Sequence, residues 1–401
     1  MAVGEASTDF VPVPGVRLSS VSCGIKAKDK LDLVLLEFAA GSVTAGVFTR
    51  SHFAAAPVQL ARQHLAHNNP RYFLINSGNA NAATGEPGLA DAGDCCRALS
   101  QQTGALPQEV IPFSTGVIGE RLPVDKITNA LKRILAGLDE DNWLLAARGI
   151  MTTDTRPKIA SRQVEFDGGT VSLTGIAKGA GMIQPNMATM LAYVATDARC
   201  DKAALQEFLG QAVEKSFNRI TVDSDTSTND SCMLTATGLS GVEVNAGDNA
   251  ARFLAALESL MKELAHGIIR DAEGATRFVE VRVSGGESDA DCLKVAYSIA
   301  NSPLMKTAIF AGDANWGRIV MAIGKADAHL DPSKIDVYLG DVCLMKSGGK
   351  DPDYTEAAGA AEMAREEITI RVDLNLGDCE ETVWTSDLSH DYVTINAEYR
   401  T

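Results

Sequence analysis

Five apolar residues, Ile368, Ile370, Val372, Leu374 and Leu376, alternate with Thr369, Arg371, Asp373 and Asn375. A period of two sorts the sets onto opposite faces of a strand, so this segment belongs in a sheet with one buried face. Helical periods separate it from other strands. Ile127, Leu131, Ile134 and Leu135 share one helix face after Pro123, with an end expected near Gly137. A helix from Asp201 carries Leu205, Phe208, Leu209, Ala212 and Val213 on one side. Another, Ala250 to His266, is apolar at Phe253, Leu254, Leu257, Leu260, Met261 and Leu264, with Gly267 as the expected stop. Amphipathic strands among helices fit mixed or antiparallel sheets better than one doubly wound parallel sheet. With 401 residues, 45% of them apolar, the chain exceeds a usual single core and should form two or more packed units. The expected class is α/β, a layered sandwich of mixed sheets covered by helices.

Further strands are expected at Leu33 to Phe38 and Ser42 to Phe48, around Ala39-Ala40-Gly41, and at Val171 to Leu173 and Phe278 to Val283. Tyr72 to Ile75 reads as a strand ending in the Asn/Gly/Ser loop from Asn76 to Asn81, and Ala90 to Gln102 as a helix. Asn-rich loops are more often plain turns than ligand sites, because Asn tolerates left-handed backbone angles. Val110 to Phe113 is a strand before a turn at Ser114-Thr115-Gly116. A helix within Val295 to Ala308 should be interrupted near Pro303, and Val393 to Asn396 reads as a final strand.

The formal charge of −16 argues against a general nucleic-acid binder, which needs a basic face. No apolar run approaches the roughly 20 residues of a membrane span. MAVGEASTDF lacks the basic and apolar regions of a signal peptide, so cytosolic residence is expected. The eight cysteines form no CxxC pair and read as reduced thiols. His64 and His67 offer too few ligands for zinc, and no metal is expected. Asp223, Asp225 and Asp230 resemble a calcium loop only loosely, lacking its central Gly and final Glu, and read as a turn-rich structural segment near the site.

KGAGMIQPNMATMLAY, Lys178 to Tyr193, runs a Gly-rich loop into a short apolar strand. Thr189 sits at that junction, held by the sheet and reachable from the loop. A threonine hydroxyl needs a base, and its own α-amine serves when the residue is N-terminal. Thr189 gains that amine only if the bond after Ala188 is cut. On local pattern alone, a β-branched residue starting a strand is the commoner explanation.

The same stretch resembles the self-processing segment of the arginine-biosynthesis N-acetyltransferases, the ornithine acetyltransferase or glutamate N-acetyltransferase family. NSGNANAATG (Asn76 to Gly85), STGVIGE (Ser114 to Glu120), TTDT (Thr152 to Thr155), NRITVDSDTSTND (Asn218 to Asp230), GDANWGRI (Gly312 to Ile319) and the last residues, INAEYRT, resemble family segments in family order. The resemblance covers essentially the whole chain. It implies an N-terminal-nucleophile-type acetyltransferase cut between Ala188 and Thr189 into an α chain, 1–188, and a β chain, 189–401. The two pieces would stay intertwined, as a heterotetramer with two copies of each. It further implies acetyl transfer from N2-acetyl-L-ornithine to L-glutamate by a ping-pong route through acetyl-Thr189. Thr115 and Gly116 would steady the oxyanion, while Thr152, Lys178, Thr189, Glu273, Asn396 and Thr401 would hold the amino-acid substrates. No cofactor is implied. Some members of the family also take acetyl from acetyl-CoA, but no nucleotide-binding loop is apparent here. Two alternatives stay open: an N-terminal-nucleophile amidase or aminopeptidase passing the acyl group to water, and a non-catalytic amino-acid-binding protein.

Overall fold

A computed structural model of the chain describes residues 2–27, 29–184 and 190–398. These form two compact units.

The larger unit contains Ala6–Asn218 and Asp225–Ile268. Its first sheet joins β1 (Val16–Val21), β2 (Leu33–Phe38), β4 (Tyr72–Asn79) and β5 (Val110–Val117) in that order. The β4–β5 pair is parallel and the others are antiparallel. Its second sheet has the order β3-β10-β8-β7-β6, with β3 (Val43–Phe48), β6 (Lys158–Phe166), β7 (Gly169–Lys178), β8 (Leu191–Thr196) and β10 (Ser231–Ala236). Strand β9 (Ile220–Thr221) belongs to the smaller unit.

The two sheets meet face to face. Leu36, Phe73, Ile75 and Phe113 of the first pack with Ile176, Leu191, Tyr193 and Met233 of the second. The Phe113 and Tyr193 rings meet edge-on at 5.0 Å between centroids, a favoured aromatic geometry. Helix α4 (Trp143–Ile150) adds Trp143, Ala146 and Ile150 to the same core. Helix α1 (Ala56–His67) packs beside β5. On the far face of the first sheet, Leu33, Leu35 and Leu74 meet α2 (Gly85–Thr103) and α3 (Val124–Ala136). Strand β2, buried on both faces, is therefore apolar almost throughout, LVLLEF. The far face of the second sheet is covered by α5 (Lys202–Glu214) and α6 (Gly247–Arg270). A Cβ at Gly175 of β7 would lie 3.1 Å from Leu260 and Leu264 of α6, so this glycine lets helix and sheet approach.

The smaller unit contains residues 2–5, 219–224 and 269–398. Its sheet has the order β14-β13-β12-β15-β11-β16-β9, with β11 (Phe278–Gly286), β12 (Asp336–Leu339), β13 (Val342–Lys346), β14 (Gly349–Lys350), β15 (Glu367–Asp373) and β16 (Cys379–Ser386). Strand β15 lies parallel to β11 and antiparallel to β12, so this sheet is mixed. Ile368, Ile370 and Val372 are buried in a core with α7 (Asp289–Ala300) and α9 (Trp316–Gly324). Helix α8 (Pro303–Ala311) restarts at the expected Pro303 break; α10 (Glu356–Met363) and α11 (His390–Glu398) complete the unit.

Several expectations are corrected. Residues 393–396 lie in α11, not in a strand. Their β-branched side chains suggested a sheet, but Val393 is 64% exposed, so no sheet gains from burying it. Ser389 instead accepts from the Asp391 N–H at 3.2 Å, and Asp391 complements the positive end of the helix. Strand β5 continues through Ser114-Thr115-Gly116 rather than turning there. Helix α6 runs through Gly267 to Arg270, because that glycine makes room: a Cβ there would stand 3.2 Å from Cγ of Lys158. Helix α2 starts at Gly85, since Pro87 is tolerated in a first turn.

Candidate functional site

In the larger unit, β7 ends at Lys178, and its ammonium reaches across to β5 of the facing sheet. Lys178 Nζ donates to Thr115 Oγ1 at 3.2 Å. A hydroxyl that accepts this bond still has its own proton to donate. Next to Thr115, Gly116 has φ 134° and faces Gly78 of β4. A Cβ at Gly116 would lie 2.3 Å from the Gly78 carbonyl carbon and 2.6 Å from Asn79 N. No side chain fits there, so the two parallel backbones close up at the edge of the site.

Asp154 fixes the other side of Lys178. This buried carboxylate accepts from Lys158 Nζ at 2.5 Å, from Gly179 N at 2.8 Å and from Thr152 N at 2.9 Å. Lys158 also donates to the Gly179 carbonyl at 3.1 Å. One ion pair thus ties Thr152 and the residue after Lys178 to the same point. Burial alone would raise the Asp154 carboxyl, but the Lys158 and Lys178 ammoniums and the bonds it accepts hold it well below the usual carboxylate range. Lys26 completes the cluster, donating to the carbonyls of Leu31 at 2.9 Å and Met151 at 2.6 Å. Burial draws its pKa down to about 8, against the pull of Asp32 and Asp154 and with the push of Lys178. Asp32 itself accepts the N–H groups of Cys23, Gly24, Ile25 and Lys26, which shapes that loop. Within a chain of net charge −16, three lysines converging here make a place for an anionic group.

Residues 225–231 border the segment that contains Thr189. Gln184 N donates to the Asp225 carbonyl at 3.0 Å, and Thr226 Oγ1 to the Gln184 carbonyl at 3.0 Å. At the other end, Ser231 N donates to the Met190 carbonyl at 3.0 Å, as β10 runs parallel to β8. Asn229 Nδ2 bridges to the carbonyls of Ala80 and Ser114, at 2.6 and 2.9 Å, tying the strip to the β5 end beside Thr115. Asp230 is buried, which pushes its carboxyl well above the usual range against the opposing effects of Ser227 and Lys178. Its Oδ2 has no hydrogen-bond partner among the described residues.

In the smaller unit, Asn396 Nδ2 donates to Glu273 Oε2 at 2.7 Å, so these two expected substrate residues meet. Ala188, Thr189 and Thr401 lie outside the described residues. The Asn-rich stretch, expected as a loop from Asn76, continues β4 to Asn79 and is an internal brace: Asn76 donates to the Asn79 carbonyl at 2.8 Å and Asn79 to that of Arg121 at 3.1 Å. The eight cysteines are unpaired thiols. Among the described residues no group of His, Cys, Asp and Glu side chains gathers as metal ligands, and no helix is long and apolar enough to cross a membrane. Sequence reasoning missed Lys26, Asp154 and Lys158; the only local signal was the Asp154/Lys158 spacing of four, common on solvated surfaces.

The model of the ArgJ family matches residues 17–401. This chain belongs to the ArgJ family. The arginine biosynthesis bifunctional protein ArgJ of Pseudomonas syringae pv. tomato is 55% identical, and that of Pseudomonas fluorescens 54% identical, each match covering 100% of both chains. The crystal structure of the ArgJ of Bacillus halodurans superposes with a TM-score of 0.49 at 38% identity, over 51% of this chain and 96% of that one. Membership of the ArgJ family accounts for seven separate segments, from the Asn-rich brace to the C-terminal residues, occurring in one chain.

Proposed function

We propose that this ArgJ-family chain carries acetyl from N2-acetyl-L-ornithine to L-glutamate on Thr189, after the bond between Ala188 and Thr189 has cut itself. The chain is an acetyltransferase of arginine biosynthesis; the proposal adds the route and the residues. Thr189 Oγ attacks the acetyl carbonyl carbon while its α-amine takes the hydroxyl proton. The reference pKa of an α-amine, roughly 7.7–8.0, leaves a useful neutral fraction near neutral pH. Thr115 and Gly116 donate to the negative oxygen that develops. The C–N bond to ornithine breaks, ornithine leaves with the proton, and the glutamate amine attacks the acetyl ester. Lys178, Glu273, Asn396, Thr152 and Thr401 hold the amino-acid parts of the donor and acceptor. No cofactor or metal takes part.

The observation that carries this reading is the 3.2 Å contact between Lys178 and Thr115. It puts a cation beside a hydroxyl donor at the end of the strand leading into the self-processing segment. Lys178 also pairs in register with Leu191, two residues after Thr189. Two copies of each cleavage product form the assembly, and acetyl-CoA is the second donor to be assayed.

The test combines intact mass with acetylglutamate formation. Active material should contain two pieces that meet between Ala188 and Thr189, and transfer from N-acetylornithine to glutamate should greatly outrun hydrolysis. An active, uncut chain of 42.4 kDa sinks the route through Thr189. Acetate release unaffected by glutamate would favour an amidase instead.

A further inference from the structure

Helix α11 follows β16 after a short link, and none of its residues is buried. Most helices in a folded protein are held by packing an apolar face, so α11 needs another anchor. The chain leaves the sheet at Asp387, a buried residue whose carboxylate accepts from Thr276 N at 2.8 Å, Thr276 Oγ1 at 2.6 Å and Arg277 N at 3.0 Å. Lys306 of α8 braces the same corner. Its ammonium donates to Thr385 Oγ1 at 2.8 Å and to the Ser386 carbonyl, and its own carbonyl accepts from Leu388 N at 3.2 Å. These bonds fix where the helix begins, not how it lies.

Side-chain bonds then set its orientation. Ser389 Oγ donates to the Gly274 carbonyl at 2.6 Å, Tyr392 Oη to Asp223 Oδ2 at 3.1 Å and Asn396 Nδ2 to Glu273 Oε2 at 2.7 Å. Tyr392 and Asn396 are four residues apart and so share one face of the helix. Gly274 lets that helix come close: its φ is 71°, and a Cβ there would lie 2.6 Å from both Ser389 Oγ and Tyr392 N. Phe310 of α8 adds an edge-on contact with the His390 ring, 5.6 Å between centroids. All of these residues belong to the smaller unit. The face by which α11 docks is thus largely polar, and its docking delivers Asn396 to Glu273.

We infer that Ser389 and Tyr392 are positioning residues, which hold α11 so that Asn396 meets Glu273 and thereby set the affinity for the amino-acid substrates without touching them. The inference rests on the proposed role of Glu273 and Asn396 in holding those substrates. Losing one such hydrogen bond weakens docking by about three- to tenfold. Apparent affinity falls with the fraction of molecules in which the helix is docked. No core side chain rides on α11, so the loss stays local and the rest of the unit keeps its stability. Donor and acceptor use the same pair and should be affected alike. The acyl step at saturating substrate, which uses other groups, should not be.

The experiment measures steady-state acetyl transfer and the melting temperature of the purified protein, for wild type, Tyr392→Phe, Ser389→Ala, the double variant and Asn396→Ala. Phe keeps the Tyr392 ring and removes only its hydroxyl. Each single change should raise KM for N-acetylornithine and for glutamate about threefold, and the double change about tenfold or more. Values of kcat should stay within about twofold of wild type, and the melting temperature within about 2 °C. Amide hydrogen exchange over residues 390–398 should quicken in the double variant. A double variant with KM values within about twofold of wild type, or with unchanged exchange over that segment, overturns the inference. So does a fall in kcat at unchanged KM, or a melting temperature that falls in step with the affinity. Asn396→Ala leaving both KM values unchanged instead sinks the substrate role beneath the inference, so the two failures are told apart.

Discussion

Replacing Lys158 by Met separates the two roles of the Asp154 ion pair, local stability and placement of Lys178. Both partners are almost wholly buried, at 3% and 0% side-chain exposure, and 2.5 Å apart. Removing one partner of such a pair leaves an uncompensated buried charge, typically at a cost of about 3–5 kcal/mol. That is a large part of the roughly 5–15 kcal/mol by which a folded protein is stable. The Asp154 carboxyl is held below its ordinary value of 3.8, so it contributes stability above that pH and loses it as pH falls through the folded value. In Lys158→Met, burial acts on this carboxyl against one cation fewer, and its folded pKa rises. The deficit of the variant should therefore be greatest near neutral pH and shrink toward pH 4. Urea unfolding at pH 4, 6 and 8, followed by Tyr and Trp fluorescence, reads this difference. Asp154→Asn combined with Lys158→Met, which removes both charges, should recover at least half of the lost stability. Acetyl transfer should stay at least tenfold down in the double variant, because Gly179 and Thr152 lose their shared anchor. A deficit below 1 kcal/mol, one that does not change with pH, or a double variant no better than the single would refute the argument.

Gly116→Ala should lower stability by about 2 kcal/mol or more and abolish transfer, since φ 134° and the Gly78 backbone both oppose a Cβ; thermal melts and acetylglutamate assays check this. Thr115→Val keeps the shape but removes the hydroxyl, and should reduce kcat by about 10²–10³ with little change in melting temperature. Cys95, whose thiol burial pushes up to about 12, should resist iodoacetamide at pH 8 in the folded protein and react once urea unfolds it; rapid labelling in the native state would contradict its burial.

What could be read from sequence depended on how local the cause was. The alternation at 368–376 predicted one buried face because the other is wet, and that is how β15 sits. The helix faces of α3 and α5 were legible for the same reason. The extension of β5 through Gly116 was not, because the need for a glycine comes from Gly78 on a different strand. Lys158 gave no local signal of its burial, since it packs against Gly267 of α6, more than a hundred residues later. Thr115 and Lys178, 63 residues apart, were named through family resemblance, and local pattern alone would not have paired them. The strand expected at 393–396 failed because propensity is a weak guide when nothing covers the residues.

The order of the second sheet in the larger unit has a mechanical outcome. Strands β3, β7 and β6 precede residue 188 and β8 and β10 follow it, so the two later strands lie between earlier ones. Six residue pairs bind β10 to β3, and six more bind β8 to β7. A nick after Ala188 therefore frees an end without freeing a half. To part, the halves would have to unzip two ladders at once and lay open the core between the sheets. The severed protein should behave as one body, and strands once separated should rejoin only by refolding together.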